Sequence, residues 1–216
     1  MEKIDQIYQT LSSQTSKSNS ELKTLVEKNC LKPVVIVGYS WGAWIAYIFA
    51  ARYPEMVKKI ILVSAGPFEQ KYYPLLEKNR ESRMNAREKQ ESQKIFEKLF
   101  SAEKNLQNEL VERLGKLYEK VDGFDLNKPL DQNKRKNGRK NPIIQNLETN
   151  IDRVAHFTGA LEQAIHMRKS GQLLELGRQI QCPVCAIHGI NDTHPIEGVK
   201  EPLSNILEDF QLFPLR

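Results

Sequence analysis

The chain has 216 residues, 40% of them hydrophobic and 27% charged, which is enough for one substantial core and too short for many domains, so one domain with an insertion is expected. Its formal charge of +5 is modest, and five basic groups crowd into Lys134, Arg135, Lys136, Arg139 and Lys140, leaving the remainder balanced. That excludes a global nucleic-acid footprint and makes the basic run a solvated loop first, a nuclear signal or polyanion contact second.

From the start of the chain, residues 1–11 already carry Glu2, Lys3 and Asp5, so no signal peptide is expected there. The first 30 residues read as helical, with Ile4, Ile7 and Leu11 on one stripe, Leu22, Leu25 and Val26 on another, and a Ser-rich break between them. Residues 34–37 form a β-branched strand, and 43–52 an amphipathic helix. The whole run 34–51 is uncharged and long enough to raise a membrane helix. A four-residue strand, a glycine-flanked turn and a short buried helix explain it better, so no membrane span is expected. A second strand follows at 60–64, a third at 183–188 and a fourth at 210–213. Near-continuous Val and Ile runs suit a parallel α/β sheet covered by helices on both faces.

Between the second and third strands, residues 67–180 are charged and helical. Leu106, Leu110, Leu114, Leu117 and Val121 recur at helical spacing, as do Ile151, Val154, Leu161 and Ile165, and Ser170-Gly171 is a helix stop. The stripes are packing faces rather than cofactor contacts. The division is therefore 1–66, first part of the core; 67–180, a helical insertion; and 181–216, second part of the core. An insertion at the C-terminal edge of a parallel sheet reads as a lid.

The chemistry concentrates in Gly38-Tyr39-Ser40-Trp41-Gly42, set between strand and helix. A chance G-x-S-x-G occurs about 0.03 times in a chain of this composition. A strained strand-to-helix turn presents a serine oxygen clear of the sheet, and the Trp41 amide is placed to face a developing oxyanion. Both glycines are expected to allow close backbone passage. The plainer alternative is a Gly-rich turn with a capping serine. Three cysteines, Cys30, Cys182 and Cys185, make no disulfide framework and suit a reducing, cytoplasmic compartment. Cys182 and Cys185 with His188 suggest zinc, but residues three apart on a strand face opposite sides, so no metal is expected.

These segments resemble the α/β-hydrolase superfamily. Residues 34–43 look like its nucleophile strand and elbow, Tyr53-Pro54-Glu55-Met56-Val57 with 60–64 like the next helix end and strand, and 182–192 like the strand and loop that deliver its acid. The resemblance implies Ser40 as nucleophile, Asp192 as the acid that orients a histidine, the Trp41 amide as one oxyanion donor, and no cofactor. Asp192 as a plain turn residue and Glu69 as a second acid are the alternatives. His188 matches a structural histidine.

The resemblance also has gaps. The family's catalytic histidine lies beyond the strand after the acid, where only Pro214, Leu215 and Arg216 follow here, and its second oxyanion loop precedes the elbow, where nothing similar stands. His194 is only two residues from Asp192, too close for the usual arrangement; His156 and His166 lie in the insertion. The chain thus reads as a hydrolase core truncated at both ends. The implied function is serine-dependent acyl transfer on an ester or amide-type small substrate, esterase-like or peptidase-like, with activity of these residues alone expected to be low. Tyr72, Tyr73, Phe96 and Phe100 suggest a partly apolar acyl or leaving group. The alternative is a catalytically inactive binding or scaffold protein of the same fold.

Overall fold

The computed structural model describes residues 19–29, 32–99, 101–122, 162–163 and 165–216. Cys30, Phe100, the basic run 134–140, the stripe residues Ile151, Val154 and Leu161, and His156 lie outside them. Packing divides the chain into two compact units, one of 1–80 with 159–216 and one of 81–158.

The first unit is built on a parallel sheet of β1 (Val34–Tyr39), β2 (Val57–Val63), β3 (Val184–Gly189) and β4 (Phe210–Leu215), in that spatial order. Helix α1 covers 19–29, and α2 (Trp41–Arg52) joins β1 to β2. Helix α3 (Tyr73–Ser82) follows β2, α6 (Gln172–Glu175) precedes β3, and α7 (Glu197–Ile206) joins β3 to β4. All four strands fall where the apolar runs place them, three of them longer by two residues and the third shifted by one. Pro214 sits in β4, an edge strand, where its missing N–H removes no ladder bond needed by a further neighbour.

Register explains which residues form the core. Ile36, Ile60, Val184 and Phe210 stand in one row across the sheet, and Gly38, Leu62, Ala186 and Leu212 in the next. These rows pack against α2, whose residues are buried nearly all round, as expected of a helix enclosed by its own domain. Tyr47 of α2 donates its hydroxyl to the Leu174 carbonyl at 3.0 Å. Burial, aided by the nearby Glu175 carboxylate, pushes that phenol far up from its ordinary value.

The alternate rows run through Val37, Ile61 and Cys185 and through Tyr39, Val63, Ile187 and Phe213. On this side Val35, Val37, Tyr39 and Phe213 are exposed. Among the described residues the helices flank one face closely and leave the second exposed along β1 and β4. A Val-rich run has the same composition whether one or both of its sides find neighbours. The contrast predicts that Ile60→Ala, at a fully buried position, costs about 2–5 kcal/mol. Val37→Lys, at a site 64% exposed, should shift stability by no more than about 0.5 kcal/mol. Urea unfolding midpoints of the two variants check both values.

The second unit contains α4 (Ala86–Leu99) and α5 (Lys104–Val121). Asn85 and Glu88 begin α4 with reciprocal backbone bonds, the Glu88 amide to Asn85 Oδ1 at 3.0 Å and the Asn85 amide to Glu88 Oε2 at 2.9 Å, which satisfies two otherwise orphaned donors. Of the stripe on α5, Leu110, Leu114, Leu117 and Val121 are buried and Leu106 is exposed. Leu110 and Leu114 meet Ile95 and Leu99 of α4. Among the described residues no helix is long and apolar enough to cross a membrane.

Candidate active site

At the end of β1 the backbone turns at Ser40, with φ 51° and ψ −116°. A residue with a Cβ rarely adopts this conformation, which costs about 1–3 kcal/mol and persists only where the surroundings enforce it. Here they do so from both sides. The Ser40 amide donates to the Val63 carbonyl of β2 at 2.8 Å, and the Ser40 carbonyl accepts from the Ala43 amide at 3.0 Å. The side chain makes no cap bond to α2, so the plain capping-serine reading does not describe this turn.

The two flanking glycines are not equivalent. A Cβ on Gly38 would stand 2.2 Å from the Gly42 carbonyl oxygen and 2.7 Å from Ala43 Cα, distances that backbone atoms cannot relieve. A Cβ on Gly42 would meet nothing within 4 Å. The expectation that both glycines are needed for close passage therefore holds at Gly38 alone, because the contact at the turn is between the Gly38 α-carbon and the Gly42 carbonyl, not the Gly42 α-carbon.

Because the strands are parallel, the ends of β1, β2 and β3 lie on one edge of the sheet, where loops gather functional groups. Ser64, directly after β2, is also held at positive φ, 47°, and its amide donates to the Ile187 carbonyl of β3 at 2.9 Å. Asp192 stands in the turn after β3, its amide bonded to the Gly189 carbonyl at 3.1 Å. Its Oδ1 accepts from the His194 amide at 2.9 Å and lies 3.0 Å from His194 Nδ1, and the Ser64 hydroxyl stands near enough to favour the charged carboxylate. The adjacent Thr193 carbonyl accepts from Asn79 Nδ2 of α3 at 3.0 Å.

Burial acts to raise the Asp192 pKa, but the His194 ring bond and charge, the His194 amide and the Ser64 hydroxyl outweigh it and hold the carboxyl well below its ordinary range. A depressed pKa stabilises the fold above the unfolded-state value of about 3.9 and loses that contribution as pH falls through the folded-state value. Asp192→Asn is accordingly expected to flatten the acid side of the stability profile below about pH 4, with little change in slope near pH 7. Urea midpoints across that range test it, and an unchanged acid limb would remove Asp192 as the source.

His188 is buried in β3, and its Nε2 lies 2.8 Å from the His194 carbonyl, which fixes the loop from beneath. Its Nδ1 has no partner among the described residues. Glu69 pairs instead with Lys71, 2.9 Å away. No group of three His, Cys, Asp or Glu among the described residues could hold a metal ion. Two partners were not read from the sequence. Ser64 carries no motif beyond its place after a strand, and a spacing of two residues argues against His194 as a partner of the acid, yet its ring lies against Asp192 at 3.0 Å.

The family model described as alpha/beta hydrolase fold matches residues 13–200. The chain belongs to the α/β-hydrolase family. Its likeness to solved hydrolase structures lies in the fold. A crystal structure of a putative lipase from Acinetobacter baumannii superposes with a TM-score of 0.54 at 18% identity, covering 93% of this chain and 59% of that one. A probable hydrolytic enzyme from Pseudomonas aeruginosa gives 0.55 at 12% identity, covering 94% and 62%. In sequence, 55 residues are 38% identical to ethanol acetyltransferase 1 of Cyberlindnera jadinii, covering 26% of this chain and 16% of that protein. The α/β-hydrolase chain thus spans less than two thirds of each of these relatives.

Proposed function

We propose that this α/β-hydrolase chain carries the core of a serine-dependent acyl-transfer enzyme acting on an ester or amide-type small substrate. Ser40 is the nucleophile, the Trp41 amide one oxyanion donor, and Asp192 the carboxylate that orients an imidazole. The reading rests on one observation: Ser40 is held in a backbone conformation that disfavours any residue but glycine. Strain of this kind persists where it serves a purpose, here keeping the hydroxyl off the helix cap and at the mouth of the turn.

In this mechanism the Ser40 oxygen attacks the acyl carbonyl as an imidazole accepts its proton, and the same imidazole then protonates the leaving group. The acyl-serine is released to water, or to an alcohol if one occupies the acceptor position. The short resemblance to a protein named an acetyltransferase supports acyl transfer as the common chemistry. His194 supplies an imidazole whose Nδ1 is already against Asp192, which makes it the candidate base within this chain. The three-part division at 66/67 and 180/181, a small-molecule substrate and a cytoplasmic setting belong to the same proposal.

A fluorophosphonate probe, which reacts with activated serines, tests it. The unaltered protein should label and Ser40→Ala should not, with His194→Ala slowing the reaction. No labelling of a folded unaltered chain would favour the inactive binding or scaffold reading.

A further inference from the structure

Arg168 is only 4% exposed, yet no carboxylate among the described residues lies within ion-pair distance of it. A buried cation is costly and is normally paired. Here the guanidinium is stacked instead, its centre 4.2 Å from the Tyr73 ring and 5.7 Å from the Trp44 ring. Its Nε donates to Gln70 Oε1 at 3.2 Å. Burial lowers the pKa of the group, which measures how far water has been withdrawn from it. The two terminal nitrogens have no acceptor among the described residues, and each keeps slight solvent contact. Together they form the fork that matches a carboxylate.

The stack is tied to the elbow. Trp44 lies in the first turn of α2, the helix that begins directly after Ser40. Its ring meets that of Trp41 edge-on, with centroids 5.7 Å apart, and its Nε1 donates to the Gly66 carbonyl just past β2 at 3.1 Å. Rigid aromatic faces thus hold the guanidinium on the same rim of the sheet as the serine, with its long stem already ordered.

We propose that Arg168 is an anion anchor beside Ser40, selecting small substrates whose acyl or alcohol part carries a carboxylate, such as the half-ester of a dicarboxylic acid. The inference rests on the serine-hydrolase reading for the word substrate, but the binding site itself does not depend on turnover. Aromatic stacking orders the guanidinium without an ion pair, and the more distant Glu77 carboxylate offsets only part of its charge, leaving the rest of the attraction for a ligand. A carboxylate with two charge-assisted bonds should bind roughly tenfold to a hundredfold more tightly than its uncharged ester.

The protein has two tryptophans, Trp41 and Trp44, so its indole fluorescence reports on this locus alone. Titration with monomethyl succinate should quench it saturably, and dimethyl succinate should need at least about ten times the concentration. Arg168→Met should abolish the difference, and Arg168→Lys should keep charge preference with weaker binding, since an ammonium lacks the fork. Equal responses to the monoester and the diester on the unaltered protein would overturn the proposal, whether or not the variants fold. So would an unchanged response in folded Arg168→Met, and tighter binding of methyl phosphate would overturn the carboxylate assignment. If quenching follows these expectations while Ser40 fails to label, the anchor stands and the catalytic reading alone falls.

Discussion

Ser40→Ala is expected to abolish fluorophosphonate labelling and to bring the low acyl-transfer turnover of this chain down to background, because removing the nucleophile of a serine hydrolase disables the imidazole and carboxylate that serve it. Stability should hardly change. Alanine keeps a Cβ at φ 51°, so the strain remains, and the serine hydroxyl has no cap bond to lose. Ser40→Gly separates the two effects. Glycine is unstrained at this φ, and relief of about 1–3 kcal/mol, partly offset by the greater freedom of an unfolded glycine chain, should leave the inactive variant about 1 kcal/mol more stable. Ester hydrolysis assays and urea midpoints on the three proteins measure both quantities. Turnover retained by the alanine variant would remove Ser40 from the mechanism, and a glycine variant less stable than the alanine one would remove strain from the account.

Gly38→Ala should be the most damaging glycine-to-alanine change among the described residues. The new carbon would need to lie 2.2 Å from the Gly42 carbonyl oxygen, and both partners are backbone in elements bonded to β2 and α2. Overpacking in a core that can adjust costs about 1–3 kcal/mol, and this site has no flexible side chain to yield. The loss should exceed about 4 kcal/mol, and fluorophosphonate labelling should vanish with the fold of the elbow. Gly42→Ala is the matched control. Its methyl enters open space within the first turn of α2, where alanine is the better helix former by up to about 1 kcal/mol, so its midpoint should stay or rise. Thermal unfolding of the pair is decisive: similar losses at both positions would mean that the contact to the Gly42 carbonyl is not what demands glycine.

The strands and the elbow were legible along the chain because each depends on neighbours a few residues away. A β-branched run ending in glycine, serine and a buried helix specifies its own turn, and Leu110, Leu114, Leu117 and Val121 announce a packing stripe by spacing alone. The same locality explains the misreading of Gly42, since a pattern of two glycines does not say which of them touches the other's backbone. It also explains Val35 and Val37: their side chains suit burial, but exposure depends on what is packed against that face of β1.

Local order and residue chemistry dictated the parallel α/β architecture, the tight turn at Ser40 and the arrival of Asp192 after the third strand. Folding alone decided the rest. The Ser64 hydroxyl reaches a carboxylate 128 positions later, Arg168 settles on rings at 44 and 73, and Asn79 braces the acid loop through the carbonyl of Thr193. Such partnerships depend on crossover connections and strand register, which bring distant segments to one edge of the sheet, and no short window of sequence carries that distance information.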